Sequence, residues 1–284
     1  MPAKKIRYGI KVAQMGGTYD EMRDAWLEAD KLGFDTGWGH DHLLNQDDHS
    51  APEDEGWVAL TALLAQTERI RGGLMTGCHT FRHPSVVAKM ATTLDRVSNG
   101  RLELGMGAGW MEAEHEQYGV TLPPVGERMK RLEEGIQIMR ALWTQHRPTF
   151  EGTYYQIKEA WHVPGPVQKP HPPLVIGGGG EKVMLRIVAT YADEWNCSKA
   201  DLDLFKHKMA VLDQHCANVG RDPKAIERSV QFGAPQLDEA ESLAAHARQF
   251  VEAGATHLIF TCPKPYSAAG ARWLWNEVVA RLKG

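Results

Sequence analysis

His40-Asp41-His42 sets two imidazoles and a carboxylate within three residues, directly after the run Phe34 to Gly39. Imidazole titrates near neutral pH, so such a ring can take or give a proton beside a reacting group while a nearby carboxylate fixes its tautomer. An H-x-H spacing at a strand end also begins many metal-dependent hydrolytic sites, which draw further His, Asp, Glu or Lys ligands from other strand ends. The other strand ends here offer Gly107-Ala108-Gly109-Trp110, Gly177 to Gly180, Asn196 and Thr261. Those residues supply no further ligands, so no metal centre is expected. By residue type alone, a helix-capping Asp and a solvated His on a polar loop account for the cluster equally well.

A second chemical feature is the run of four glycines, Gly177 to Gly180, between Leu174-Val175-Ile176 and a helical stretch expected from Glu181. A strand, a glycine loop and a helix in that order bare backbone N–H groups where the helix dipole favours an anion. No side chain blocks the approach, so a phosphate or a flat ring can lie against the backbone itself. A long turn needing positive φ would explain the same residues.

Strand-like and helix-like segments alternate along the whole chain and must position these groups. Strands are expected over 6–13, 34–39, 70–77, 101–106, 174–177, 194–198, 226–232 and 256–261. Helices are expected over 18–32, 56–67, 85–98, 126–146, 181–191, 202–219, 238–253 and 269–282. Thr18 with Glu21 reads as a capping box, and Pro84 as a first-turn residue. Residues 149–163, with aromatic residues around Gly152, suggest a small hairpin inserted before the fifth strand. Eight β-α units imply a parallel sheet and close naturally into a (β/α)₈ TIM barrel, one domain over 1–284; a doubly wound open sheet is the runner-up. In a barrel, the chemistry belongs on the loops after the strands. Those loops are rich in glycine and poor in charge, which suits a planar, backbone-held cofactor.

The formal net charge of −4, with basic and acidic residues interspersed, gives nucleic-acid binding little support. Cys78, Cys197, Cys216 and Cys262 are far apart and read as reduced thiols. The N-terminal segment alternates through Ile6, Tyr8, Ile10 and Val12 as a strand does, and no apolar run is long enough to span a bilayer. A cytoplasmic protein with no membrane partner is expected.

The tract from Phe81 to Trp110, FRHPSVVAKMATTLDRVSNGRLELGMGAGW, resembles the bacterial luciferase-like family of flavin and deazaflavin oxidoreductases. The likeness continues through Glu127-Arg128, Phe150-Glu151-Gly152, PHPPLVIGGGGEK and Tyr191 to Asn196, so it covers essentially the whole chain. It is nearest to the branch that uses coenzyme F420. The resemblance implies a hydride transfer between the deazaflavin and a small organic substrate, in a homodimer. It places His42 over the reacting face, as the catalytic residue, and Asp41 against the cofactor head group. It places a non-prolyl cis peptide at Gly77-Cys78, and has Ala108 and Gly109 line the cofactor. Ile176, Gly177, Gly178, Gly179 and Gly180 would hold its linker and phosphate. The chain departs from the sugar-phosphate dehydrogenases of the family, which carry a proton-donating Glu where Trp110 stands, with Glu112 and Glu114 further on. Met15, Trp110 and Trp195 instead suggest an apolar substrate pocket. An FMN-dependent monooxygenase and a non-catalytic cofactor-binding member are the alternatives.

Overall fold

The computed structural model describes residues 5–283. Its strands are β1 (Arg7–Lys11), β2 (Thr36–Gly39), β3 (Arg71–Leu74), β4 (Gly77–Cys78), β5 (Leu104–Gly107), β6 (Phe150–Glu151), β7 (Gln156–Ile157), β8 (Leu174–Gly177), β9 (Glu194–Cys197), β10 (Glu227–Phe232) and β11 (His257–Thr261). All but β6 and β7 form one parallel sheet in the order β3-β2-β1-β11-β10-β9-β8-β5-β4. The two ends of that order, β3 and β4, are halves of a single strand interrupted at Met75–Thr76. β3 pairs with β2 and β4 with β5, while the Gly72 N–H and C=O bond Arg101 and Glu103 on the approach to β5. The sheet thereby comes round on itself as the expected barrel. The hairpin β6–β7 is antiparallel and sits before the fifth barrel strand.

Helices cover the outside: α1 (Tyr19–Leu32), α2 (Gly56–Gln66), α3 (Pro84–Val97), α4 (Glu112–Gln117), α5 (Val125–Thr144), α6 (Met184–Tyr191), α7 (Leu202–Asn218) and α8 (Ala240–Glu252), followed by a C-terminal run (Ala268–Lys283) that is π-helical over Leu274–Val279. Thr18 and Glu21 form the full reciprocal capping box of α1, and Pro84 opens α3. Two differences from the sequence reading bear on the site. The short helix α4 is additional, and α6 starts at Met184 rather than Glu181. Residues 181–183 form a turn in which Leu185 N–H donates to the Gly180 carbonyl, and the Glu181 carboxylate is drawn away to Lys208 and His207.

Strand alternation sorts the residues into two environments. Leu174, Ile176, Trp195, Val230, Leu258 and Phe260 face outward into the core beneath the helices. The register pairs Val175 with Glu194 and Gly177 with Asn196, so these four face into the barrel. The interior is apolar only around Trp38, Met75, Val175 and Ile259. Towards the strand starts it is charged: Arg7 donates to Glu103, to Glu194 (3.3 Å) and to Glu227 (2.9 Å), and His257 Nδ1 lies 3.0 Å from Glu194. Burial works against the Arg7 charge, but the three carboxylates outweigh it and hold its pKa above the ordinary value. Glu194, Glu227 and His257 bring ligand-type atoms within 4.8 Å of one another, the one such grouping among the described residues. The Arg7 guanidinium already supplies the positive charge there. This grouping lies at the end of the barrel opposite His42.

Candidate active site at the C-terminal mouth of the barrel

A cavity of about 420 Å³ opens where the strands end, lined by residues at the C-terminal ends of β1, β2, β4, β5, β8, β9 and β10 or just beyond them. His42 stands on its wall. Its Nδ1 lies 3.1 and 3.0 Å from the two oxygens of Glu114, the buried third residue of α4. Leu43 N–H also donates to Glu114 (3.0 Å), so the carboxylate holds both the ring and the backbone that carries it. A carboxylate accepts from Nδ1–H, which leaves Nε2 as the nitrogen without a partner among the described residues. The ring is wedged edge-on between His40 (4.9 Å) and Trp110 (5.7 Å). His40 Nε2 pairs with Glu53 at 2.5 Å, and burial holds the His40 pKa below its ordinary value despite that partner.

Asp41 lines the cavity, yet its oxygens are engaged by the protein. Arg82 grips both of them (2.7 and 3.1 Å), and Cys78 N–H donates to one (2.8 Å). Burial raises the Asp41 pKa while Arg82 and the Cys78 amide pull it down, the burial winning. Asp41 therefore ties the loop after β2 to β4; it caps no helix, since Glu55 caps α2. Burial pushes the Cys78 thiol up to about 11, so it is not a nucleophile near neutral pH.

The glycines of the mouth have different reasons to be glycine. A Cβ on Gly177 would come 2.6 Å from Thr76 Cγ2, and one on Gly107 would collide with Thr76 Oγ1. Thr76 thus occupies the space both of them leave. Gly178 has φ +125°, closed to other residues without strain. Gly179 and Gly180 are exposed, and a Cβ there would meet only ordinary contacts, Lys208 Cε at 3.5 Å and Met184 Cβ at 3.4 Å.

Residues 6–280 match the family described as Luciferase-like monooxygenase. The chain belongs to that family. Among its relatives is an uncharacterised protein of Mycobacterium tuberculosis, 32% identical over 224 residues, 76% of this chain and 74% of that one. An F420-dependent glucose-6-phosphate dehydrogenase of Microbacterium testaceum is 36% identical over 222 residues, 76% of this chain and 64% of that protein. In fold, this luciferase-like enzyme is similar to an F420-dependent secondary alcohol dehydrogenase in complex with an F420-acetone adduct (TM-score 0.87, 20% identity, 99% and 100% of the two chains). It is also similar to the coenzyme F420-dependent tetrahydromethanopterin reductase of Methanopyrus kandleri (TM-score 0.84, 16% identity, 98% and 99%).

Against the sequence reading, Met15, Asp41, His42, Cys78, Ala108, Gly109, Trp110, Gly177 and Gly178 come together on the cavity wall. Gly77 lies just behind it, where a Cβ would sit 3.9 Å from Asp41 Oδ2, and Gly179 and Gly180 continue from the wall onto the surface. Ile176 and Trp195 do not line it. Both face outward; Trp195 stacks on Phe205 (5.7 Å) and donates to the Gly178 carbonyl, a prop behind the glycine loop. The signal was available: Trp195 stands between Glu194 and Asn196, and strand alternation must send it the other way. The non-prolyl cis peptide is Met75–Thr76, not Gly77-Cys78. Two further groups went unnoticed in the sequence. One is Glu53 beneath His40. The other is the polar wall of Lys11, Gln231 and Asn196, whose signal is the alternation of β1, which puts Lys11 on the same inward face as Arg7 and Gly9.

Proposed function

We propose that this luciferase-like enzyme is F420-dependent and moves a hydride between the deazaflavin and a small organic substrate. The observation that carries the reading is His42, held through Nδ1 by buried Glu114 with Nε2 left for the cavity, beside a wall made of glycine backbone. The choice of F420 over FMN rests on the relatives named for F420.

The residues present fit such a cofactor. Gly179 and Gly180 are exposed, nothing in the chain requires them to lack a Cβ, and their N–H groups find no acceptor among the described residues. A phosphate lying against that backbone accounts for both. Gly107, Ala108 and Gly109 give a flat wall for a ring system. The deazaflavin, when bound, supplies the carbon that accepts or gives up a hydride. The chain supplies the rest. His42 Nε2 takes the hydroxyl proton of an alcohol substrate in one direction, or returns it to a carbonyl oxygen in the other, and Glu114 stabilises the imidazolium in between. By the family resemblance Trp110 stands where the sugar-phosphate dehydrogenases carry their acid, so glucose 6-phosphate is not carried over as the substrate.

The test is turnover in air with F420 and a panel of alcohols and carbonyl compounds, following the cofactor's visible absorbance together with dissolved oxygen. The expected result is cofactor reduction or oxidation without oxygen uptake. Oxygen consumption dependent on FMN, with F420 inert, would establish a monooxygenase instead.

A further inference from the structure

Every acid on or beside the cavity wall has a cation or imidazole of its own. Asp41 has Arg82, Glu114 has His42, and Glu53 has His40. Lys11, a cation on the same wall, has no such partner. It ends β1 with its side chain in the cavity wall, and among the described residues no carboxylate lies within ion-pair distance of it. Its Nζ donates to Gln231 Oε1 (3.0 Å). Gln231 cannot turn to offer more, because its Nε2 donates to Asn196 Oδ1 (2.6 Å), and Asn196 Nδ2 donates to Ser229 (2.9 Å). That chain of amides fixes the Gln231 carbonyl towards the ammonium and leaves two of the three ammonium protons unassigned. Ser198, also on the wall, adds a hydroxyl close to the same strand ends.

A partly buried ammonium with no counter-charge is costly unless something anionic joins it. Burial accordingly holds the Lys11 pKa below its ordinary value, with no carboxylate to oppose it. The cavity thus carries two polar groupings, the His42–Glu114 pair after β2 and the Lys11–Gln231–Asn196 group on β1, β10 and β9.

Resting on the oxidoreductase reading above, we propose that the substrate is a small organic acid whose carboxylate is received by Lys11. Binding at Lys11 holds the rest of the molecule in the mouth beside His42. The specificity of the site is then set by charge on the β1 side and by the Trp110 edge on the other. The predicted substrate class is a short hydroxy or oxo acid, not a neutral alcohol or a sugar.

The test uses calorimetric titration of the purified full chain, with and without F420, against two- to five-carbon 2-oxo monocarboxylates and their matched carboxamides. The wild-type protein is expected to bind at least one carboxylate about tenfold or more tightly than its amide, the range of a charge-assisted hydrogen bond. K11M should abolish the preference, and K11R should keep part of it. F420 affinity, read from quenching of its fluorescence, should be the same in wild type and K11M. Equal affinities for acid and amide, absence of binding by every carboxylate, or a preference that survives in K11M would overturn the proposal. A tenfold loss of F420 affinity in K11M with the acid–amide difference unchanged would assign Lys11 to the cofactor and overturn it too. If wild type binds no F420, the cofactor reading falls, and the titration without cofactor still decides the role of Lys11.

Discussion

At the scale of single residues, the site turns on a histidine whose two nitrogens are made unequal. Glu114 holds His42 Nδ1, so replacing either member should separate chemistry from binding. H42A is expected to lower kcat by about 10²-fold or more, the usual worth of a positioned acid–base group, while F420 affinity measured by fluorescence quenching stays within about threefold. E114Q keeps the shape but removes the charge that stabilises the imidazolium. It should lower kcat with F420 affinity unchanged; an unchanged kcat would deny Glu114 this role. The histidine was legible in the sequence from its residue type and from the family likeness. Its carboxylate was legible only as one of two acids after Trp110, since only the turn of α4 decides that Glu114, not Glu112, reaches back across the mouth.

At the scale of elements, the glycines of the mouth divide into those the fold needs and those it does not. G177A puts a methyl 2.6 Å from Thr76 Cγ2 and is expected to destabilise the protein by about 1–3 kcal/mol in urea titration, as overpacking does. G180A meets only a 3.4 Å contact and should leave stability within about 0.5 kcal/mol, or raise it slightly. Its effect should fall on F420 affinity instead, because the methyl occupies the approach to the backbone. A G180A variant that binds F420 as wild type does would remove the phosphate from that loop. The glycine run itself was plain in the sequence. The start of α6 was not, because helix periodicity continues back to Glu181 while the glycines and the pull of Lys208 and His207 on Glu181 favour a turn.

At the scale of the whole molecule, the alternation of eight strands with helices made the barrel legible, since only parallel strands accept such connections. What lies inside it was not, because a strand four residues long gives too few positions for the inward face to declare itself. Arg7, Glu103, Glu194 and Glu227 stand at strand starts and read as surface charges until the register turns them inward. Buried titratable groups should make the protein sensitive to acid. Burial holds His79 down to about 4, so between its ordinary value and that point the unfolded chain binds the extra proton and stability falls as pH falls. Glu194 acts in the same direction at lower pH: burial raises its pKa, but His257 and Arg7 outweigh it, and the stability it gives is lost once the folded carboxyl is protonated. Urea unfolding should therefore show a lower midpoint at pH 5 than at pH 7, and H79Q should flatten that difference.

The proposed deazaflavin at the mouth of this barrel is tested most directly by equilibrium titration of the purified protein with F420 and, separately, with FMN. Saturable quenching by F420 at micromolar concentration or below, with FMN binding at least about tenfold more weakly, is the expected result. Tight FMN binding with no binding of F420 would contradict it.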